Sequence, residues 1–184
     1  QRQMCIRDRL KDKGYVVLYL TDYIDEFVMQ VMNNYDGKNF VNASSGEVDL
    51  DTKEEKEELT KKNEEYKDIF KVMKDTLKDN ITDVRFTHRL KNHPVCLVSE
   101  GNVSIEMEKV MNAMPTDDKV KANTILEINE NHEISKKLEK LYQSDKQELE
   151  KYTKVLYAQA RLIEGLPIEN PTEISNLVCE ILSK

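Results

Sequence analysis

The sequence predicts an α+β chain: a strand–helix–strand piece first, then a mostly helical region with a small three-stranded sheet and a terminal helical hairpin. Three observations carry that prediction. Only 5 Gly and 4 Pro occur in 184 residues, amid abundant Lys, Glu, Leu and Met, so helix should dominate. Short apolar or alternating runs at Tyr15–Leu20, Val84–Leu90, Val95–Val98 and Thr124–Ile128 read as strands. The last third shows only the three-and-four spacing of helices.

Composition narrows the function classes. At 39% hydrophobic the chain can build a core, and wholesale disorder is excluded. A net charge of −7 without a basic cluster argues against a nucleic-acid partner held through phosphates. No apolar run approaches the roughly 18 residues that read as a membrane span, so no membrane partner is expected. Three widely spaced cysteines, Cys5, Cys96 and Cys179, fit a reducing cytoplasm better than a disulfide framework.

Residues 1–9, QRQMCIRDR, have no usable period, and MCIRDR resembles a translated sequencing adapter. They are expected to lie outside the fold, Cys5 with them, in a fragment whose authentic chain begins upstream of Leu10.

Tyr15–Leu20 (YVVLYL) has the continuous apolar character of a strand buried on both faces. Thr21 and Asp22 can cap a helix whose Ile24, Phe27, Val28, Val31 and Met32 share helical spacing. Asp36-Gly37 then turns the chain into a strand at 38–42, and 43–51 is a small, polar linker. Residues 53–79 read as one long helix. Its first half is nearly all charge, with Glu placed four residues before Lys, which favours a solvated helix over an interaction tail. Its second half carries Tyr66, Ile69, Phe70, Met73 and Leu77 on one stripe.

Val84, Phe86, His88 and Leu90 alternate with polar residues, the pattern of a half-buried strand. VCLV after Pro94 and TILEI at 124–128 complete a sheet. Between them Val103, Met107, Val110, Met111 and Met114 follow helical spacing, with Ile105 off the stripe and Pro115 as the stop. Asn131 can cap a helix to about Tyr142, and a second runs from about Asp145 to Glu164 with Gly165 beyond it. The last opens Asn170-Pro171-Thr172-Glu173: an N-cap, a proline at the first position and a capping-box glutamate. Its Ile174, Leu177, Val178, Ile181 and Leu182 form the cleanest amphipathic stripe in the chain.

No active site emerges. His88, His93 and Cys96 form the best catalytic-looking group, yet no further Cys or His completes a metal tetrahedron. The plainer reading is a hydrogen-bonded core histidine, a turn histidine and a small buried thiol. Phosphate-cradling glycine loops and nucleophile elbows are absent. Two features suit binding instead. The terminal helix pair can either dimerise as a four-helix bundle or pack on its own sheet. The methionine-rich helix at 103–114 can serve a core or an adaptable surface.

LYLTDYIDEFVMQVMNNYDGKNF, VRFTHRL, ILEINENHEI and LYAQARLIEGLPIENPTEISN, in that order, resemble the last third of the ninety-kilodalton heat-shock chaperones in their bacterial form. The resemblance implies that residues 10–50 end a middle domain and 51–184 form a C-terminal dimerisation domain. It implies an ATP-dependent stress-response chaperone that handles unfolded client proteins as a cytoplasmic homodimer. ATP and magnesium would bind elsewhere in the parent protein, leaving this fragment without cofactor. By position, client contact falls on Phe27, Gln30, Val103, Met107, Val110 and Met111. The family often has Trp where Phe27 stands. The dimer interface falls on Leu149, Tyr152, Leu156, Ile163, Ile174, Leu177, Val178, Ile181 and Leu182. A stand-alone enzyme using His88 and Cys96, and a plain helical adaptor without ATPase coupling, are the competing readings.

Overall fold

The computed structural model describes residues 10–43, 51–101, 103–115 and 120–184. The adapter-like segment and most of the expected linker lie outside the described residues.

Residues 10–12 are helical, and Leu10 is buried against Val17 and Ala43. The run Tyr15–Leu20, predicted to be a buried strand, pairs with no strand among the described residues, and Val16 is 88% exposed. An apolar run becomes a buried strand only when neighbours take up its backbone groups and cover its faces. Among the described residues no strand pairs with it, and Val17 finds cover only against Leu10. Helix α1 (Tyr23–Val31) follows, with Asp22 as N-cap. The Asp25 carboxylate accepts from the backbone N–H groups of Thr21 and Asp22 at 2.9 and 3.1 Å. A two-stranded hairpin, β1 (Asn34–Tyr35) and β2 (Lys38–Asn39), turns on Asp36 and Gly37. Both turn residues have positive φ, 49° and 71°, as a two-residue hairpin loop requires.

The long helix predicted over 53–79 is broken at Tyr66 into α2 (Lys53–Glu65) and α3 (Lys67–Leu77). The break aims the Tyr66 ring at the sheet: it stands edge-on to Phe86 with centroids 4.8 Å apart, and its hydroxyl donates to Glu139 at 2.7 Å. Phe70 completes the aromatic group at 4.9 Å from Phe86. Helix α2 buries no residue fully, as its charge predicts, whereas α3 buries Ile69, Phe70, Met73 and Leu77.

Strands β3 (Asp83–Thr87), β4 (Val95–Glu100) and β5 (Asn123–Asn129) form a sheet in the order β3-β5-β4. Strand β5 runs parallel to β3, with Phe86 opposite Ile128, and antiparallel to β4, with Leu97 opposite Leu126. One face presents Val84, Phe86, Val95, Leu97, Leu126 and Ile128 to the main core. The other face carries a smaller cluster of Cys96, Val98 and Ile125, joined by Leu90. The alternation at 84–90 sets Leu90 beside Phe86, but β3 ends at Thr87 and Leu90 reaches the opposite face.

Helix α4 (Ile105–Ala113) lies between β4 and β5 in the chain. Helices α5 (Glu133–Ser144), α6 (Lys146–Glu164) and α7 (Pro171–Leu182) complete the order. The α5 cap is His132 rather than Asn131: its Nδ1 accepts from the Ile134 N–H at 3.1 Å. Asp145 caps α6, Gly165 closes it at φ 68°, and Asn170 accepts from the Glu173 N–H at 3.2 Å.

Burial and the Glu139 carboxylate push the Tyr66 phenol above the ordinary tyrosine value of 10.0. The folded chain therefore holds this proton more tightly than the unfolded chain. Its contribution is full below about pH 10 and is lost as pH rises toward the folded value. Alkaline denaturation in urea should accordingly show a shallower loss of stability above pH 10 in Tyr66→Phe than in the parent. Identical slopes would contradict the tight phenol–carboxylate contact.

Candidate interaction surface

Helix α4 starts where Ser104 caps it: the hydroxyl accepts from the Met107 N–H at 2.9 Å. Val103 therefore precedes the helix, and Met114 follows it. Ile105, expected off the stripe, is its deepest residue at 1% exposure and joins the main core. Val110 is buried as well, whereas Met107 and Met111 are half-buried and Met114 is exposed. Val103 is partly buried against the core. The polar side of α4 holds the chain that leads into β5. Asn112 donates to the Val120 carbonyl at 2.9 Å and accepts from the Val120 N–H at 3.0 Å. Glu108 accepts from the Ala122 N–H at 2.8 Å.

Helix α1 lies against α4, and the Ser104 hydroxyl meets Glu26 Oε1 at 2.5 Å. On α1, Phe27 is half-buried and Gln30 is exposed. Ile24, Val28 and Val31 are all exposed, a large apolar fraction for a helix of nine residues. Met107 and Met111 thus share a neighbourhood with a helix whose apolar stripe is uncovered.

The candidate catalytic residues do not converge. His88 lies just beyond β3, with Nε2 2.6 Å from Glu130 Oε2 and Nδ1 3.8 Å from Asp51 Oδ2. Lys62 of α2 pairs with the same Glu130. Cys96 is buried, its sulfur 3.8 Å from Glu127 Oε2, and His93 is exposed. Arg85 holds Glu127 with Nε at 3.0 Å and Nη2 at 2.6 Å, and Arg89 adds a guanidinium 3.8 Å away. Among the described residues no group of three or more His, Cys, Asp and Glu is placed to hold a metal. Gly14, Gly37, Gly101 and Gly165 each have positive φ, and none of them caps the N-terminus of a described helix. A notch of about 250 Å³ opens at the α2–α3 break beside Tyr66, Glu139 and Tyr142, below the size of an ordinary ligand cleft.

The residues predicted for the terminal hairpin divide into two sets. Leu149 and Leu156 lie in the chain's own core. Tyr152, Ile163, Ile174, Leu177, Val178 and Ile181 are less deeply placed, and Leu182 is 79% exposed. Helix α7 has no fully buried residue at all. It is tied to α6 by Lys151–Glu180 at 2.5 Å, Lys154–Glu173 at 2.8 Å and Lys184–Glu148.

A family model described as Hsp90 protein matches residues 2–184, a range that includes most of the adapter-like segment. The chain belongs to the Hsp90 protein family. It is 46% identical over 175 residues to the chaperone protein HtpG of Bacillus subtilis, covering 95% of this chain and 28% of that protein. Likeness to the HtpG chaperones of Clostridium botulinum (strain Langeland) and Clostridium perfringens is 49% and 47%, each over 171 residues, 93% of this chain and 27% of the relative. This Hsp90 chain thus spans little more than a quarter of those relatives' length.

Ser104 and Asn112 were not singled out by sequence reasoning, and Glu26 was read only as negative charge in the first turn of α1. Ser104 was legible, since a serine before IEMEK is a normal N-cap. The contacts of Glu26 and Asn112 join segments 78 and 8 residues apart, which no local pattern reports. The structure separates anchor from surface within α4. Ile105→Ala should cost about 2–5 kcal/mol in urea unfolding, and Met111→Ala clearly less. Equal losses would show that the methionine face is core.

Proposed function

We propose that this chain is the C-terminal part of an ATP-dependent chaperone, supplying homodimerisation and part of the surface that holds unfolded client proteins. In this reading residues 10–50 end the middle domain and 51–184 form the dimerisation domain. ATP and magnesium act in the part of the parent protein that lies outside this chain, and the whole works in protein folding and the stress response of the bacterial cytoplasm. The family relation and the name shared by the relatives support the chaperone class. No described helix is long and apolar enough to cross a membrane.

The observation that carries the dimer is the open stripe of α7. A twelve-residue amphipathic helix with no fully buried residue has an apolar face left to cover, and the solvent-screened Lys–Glu bridges to α6 add little to hold it. A second copy related by a two-fold axis would stack hairpin on hairpin, with Tyr152, Ile163, Ile174, Leu177, Val178, Ile181 and Leu182 meeting their equivalents. Leu149 and Leu156 support that face from beneath. The client surface comprises Phe27, Gln30, Val103, Met107 and Met111, with Val110 anchoring it. Phenylalanine at 27 keeps an aromatic face without an indole N–H.

Leu177→Glu would carry two unpaired carboxylates into the dimer and should convert it to monomer in analytical ultracentrifugation. A parent chain that sediments as a monomer at tens of micromolar overturns the dimer. The client arm is read by fluorescence anisotropy with reduced, carboxymethylated lactalbumin, a permanently unfolded chain. Met107→Ser with Met111→Ser should weaken that binding severalfold while the thermal midpoint moves little. Unchanged binding would remove these methionines from the surface.

A further inference from the structure

The hydrogen bond between Ser104 and Glu26 joins two segments that the surface needs together. Ser104 precedes α4, whereas Glu26 lies in the first turn of α1. A serine hydroxyl has one proton to donate and lone pairs to accept. Here the proton goes to Glu26 Oε1 at 2.5 Å, and a lone pair takes the Met107 N–H at 2.9 Å. One side chain therefore starts α4 and fastens it to α1. A hydroxyl that donates to a carboxylate makes a charge-assisted bond, stronger than one between neutral groups. Phe27 follows Glu26 immediately, and Met107 and Met111 lie three and seven residues beyond Ser104. The same bond thus fixes the spacing of both apolar groups.

We propose that Glu26 and Ser104 are positioning residues: their hydrogen bond holds α1 and α4 as one continuous docking surface for unfolded chain. The inference rests on the client reading above and deepens it. It predicts that capping and fastening can be separated. Ser104→Asp keeps a strong N-cap acceptor but sets a second carboxylate against Glu26. Glu26→Ala leaves the cap intact and removes only the fastening. Combining Glu26→Gln with Ser104→Asp lets the new amide donate to the new carboxylate and restores the link.

The test uses the 184-residue chain and reduced, carboxymethylated lactalbumin as the probe. Ser104→Asp should weaken binding about tenfold, the size expected for losing a hydrogen bond to a charged group. Glu26→Ala should weaken it similarly without altering exchange of the Met107 amide. The pair Glu26→Gln with Ser104→Asp should return to within about twofold of the parent, which a purely structural role for either residue would not produce. Amide hydrogen exchange in α1 should rise in Ser104→Asp and fall again in the pair. The Met107→Ser, Met111→Ser chain runs alongside. If it binds normally, the client reading fails and α1 exchange alone decides the fastening. If it is weakened while Ser104→Asp is indistinguishable from the parent, or the restoring pair from Ser104→Asp alone, the client reading stands and the positioning role is overturned. Should Ser104→Asp melt early, Glu26→Ala carries the same decision: binding unchanged in that variant overturns it.

Discussion

Strand β5 is the element on which the larger part of the molecule depends. It is paired along both edges, parallel to β3 and antiparallel to β4, so its backbone groups are satisfied without water. Six of its seven residues can therefore be buried. Leu126 and Ile128 have no solvent exposure and receive α3, α5 and α6 through Phe70, Met73, Leu138 and Leu149. A parallel pair cannot be joined by a tight turn; the chain must cross over between its strands. Here the crossover contains β4 and α4. The sheet's own topology thus places the methionine-bearing helix in a connection, where surfaces are free to serve partners.

The opposite face of β5 is held by charge. Glu127 is almost wholly buried, and Arg85, its register partner on β3, meets it with two N–H groups. Desolvating a carboxylate and a guanidinium consumes most of what their attraction returns, so the pair is weak evidence of stability. Its consequence is registry. A one-residue slip of β3 would turn Arg85 into the apolar core and leave Glu127 unpaired, at about 3–5 kcal/mol for the broken pair. The Glu130 carboxylate acts similarly just beyond the strand, gathering Lys62 from α2 and His88 from the end of β3. His88 thus has a carboxylate partner in Glu130, and the Cys96 thiol has one in Glu127.

Local pattern reported what local physics decides. The α7 start followed from Asn170-Pro171-Thr172-Glu173, the α6 stop from Gly165, and the hairpin turn from Asp36-Gly37, because caps and turns are made by neighbours. What could not be read required a distant partner. Tyr66 breaks the long helix because Phe86 and Glu139 draw its ring and hydroxyl aside. Ile105 becomes an anchor, although it stands off the methionine stripe, because the core lies on that side of α4. The Tyr15–Leu20 run has strand composition but no strand beside it among the described residues. The apolar stripe of α4 was legible in the spacing; the hydrogen bond from residue 26 to residue 104 beside it was not.

Both proposed surfaces are attached to the core rather than built into it, and the two attachments differ in kind. Helix α7 borrows its place from α6, whose Leu149 and Leu156 are core residues, while its own stripe is at most half-buried. Apolar area of that sort gains about 25 cal/mol per Å² once covered, so a partner of matching shape adds what the exposed Lys–Glu bridges cannot. Helix α4 is pinned through Ile105 and clasped by Asn112 and Glu108, yet its Met107 and Met111 stay half-buried rather than sunk in the core. A rigid helix axis carrying pliable side chains suits clients of varied sequence: the backbone need not be ordered on binding, and the thioethers repack against whatever apolar group arrives. In the proposed reading the leucine–isoleucine stripe of α7 would meet the same stripe on another copy, whereas a methionine face would accept many partners. That proposed division between the two helices follows their side chains, branched and aliphatic on α7 and flexible thioethers on α4.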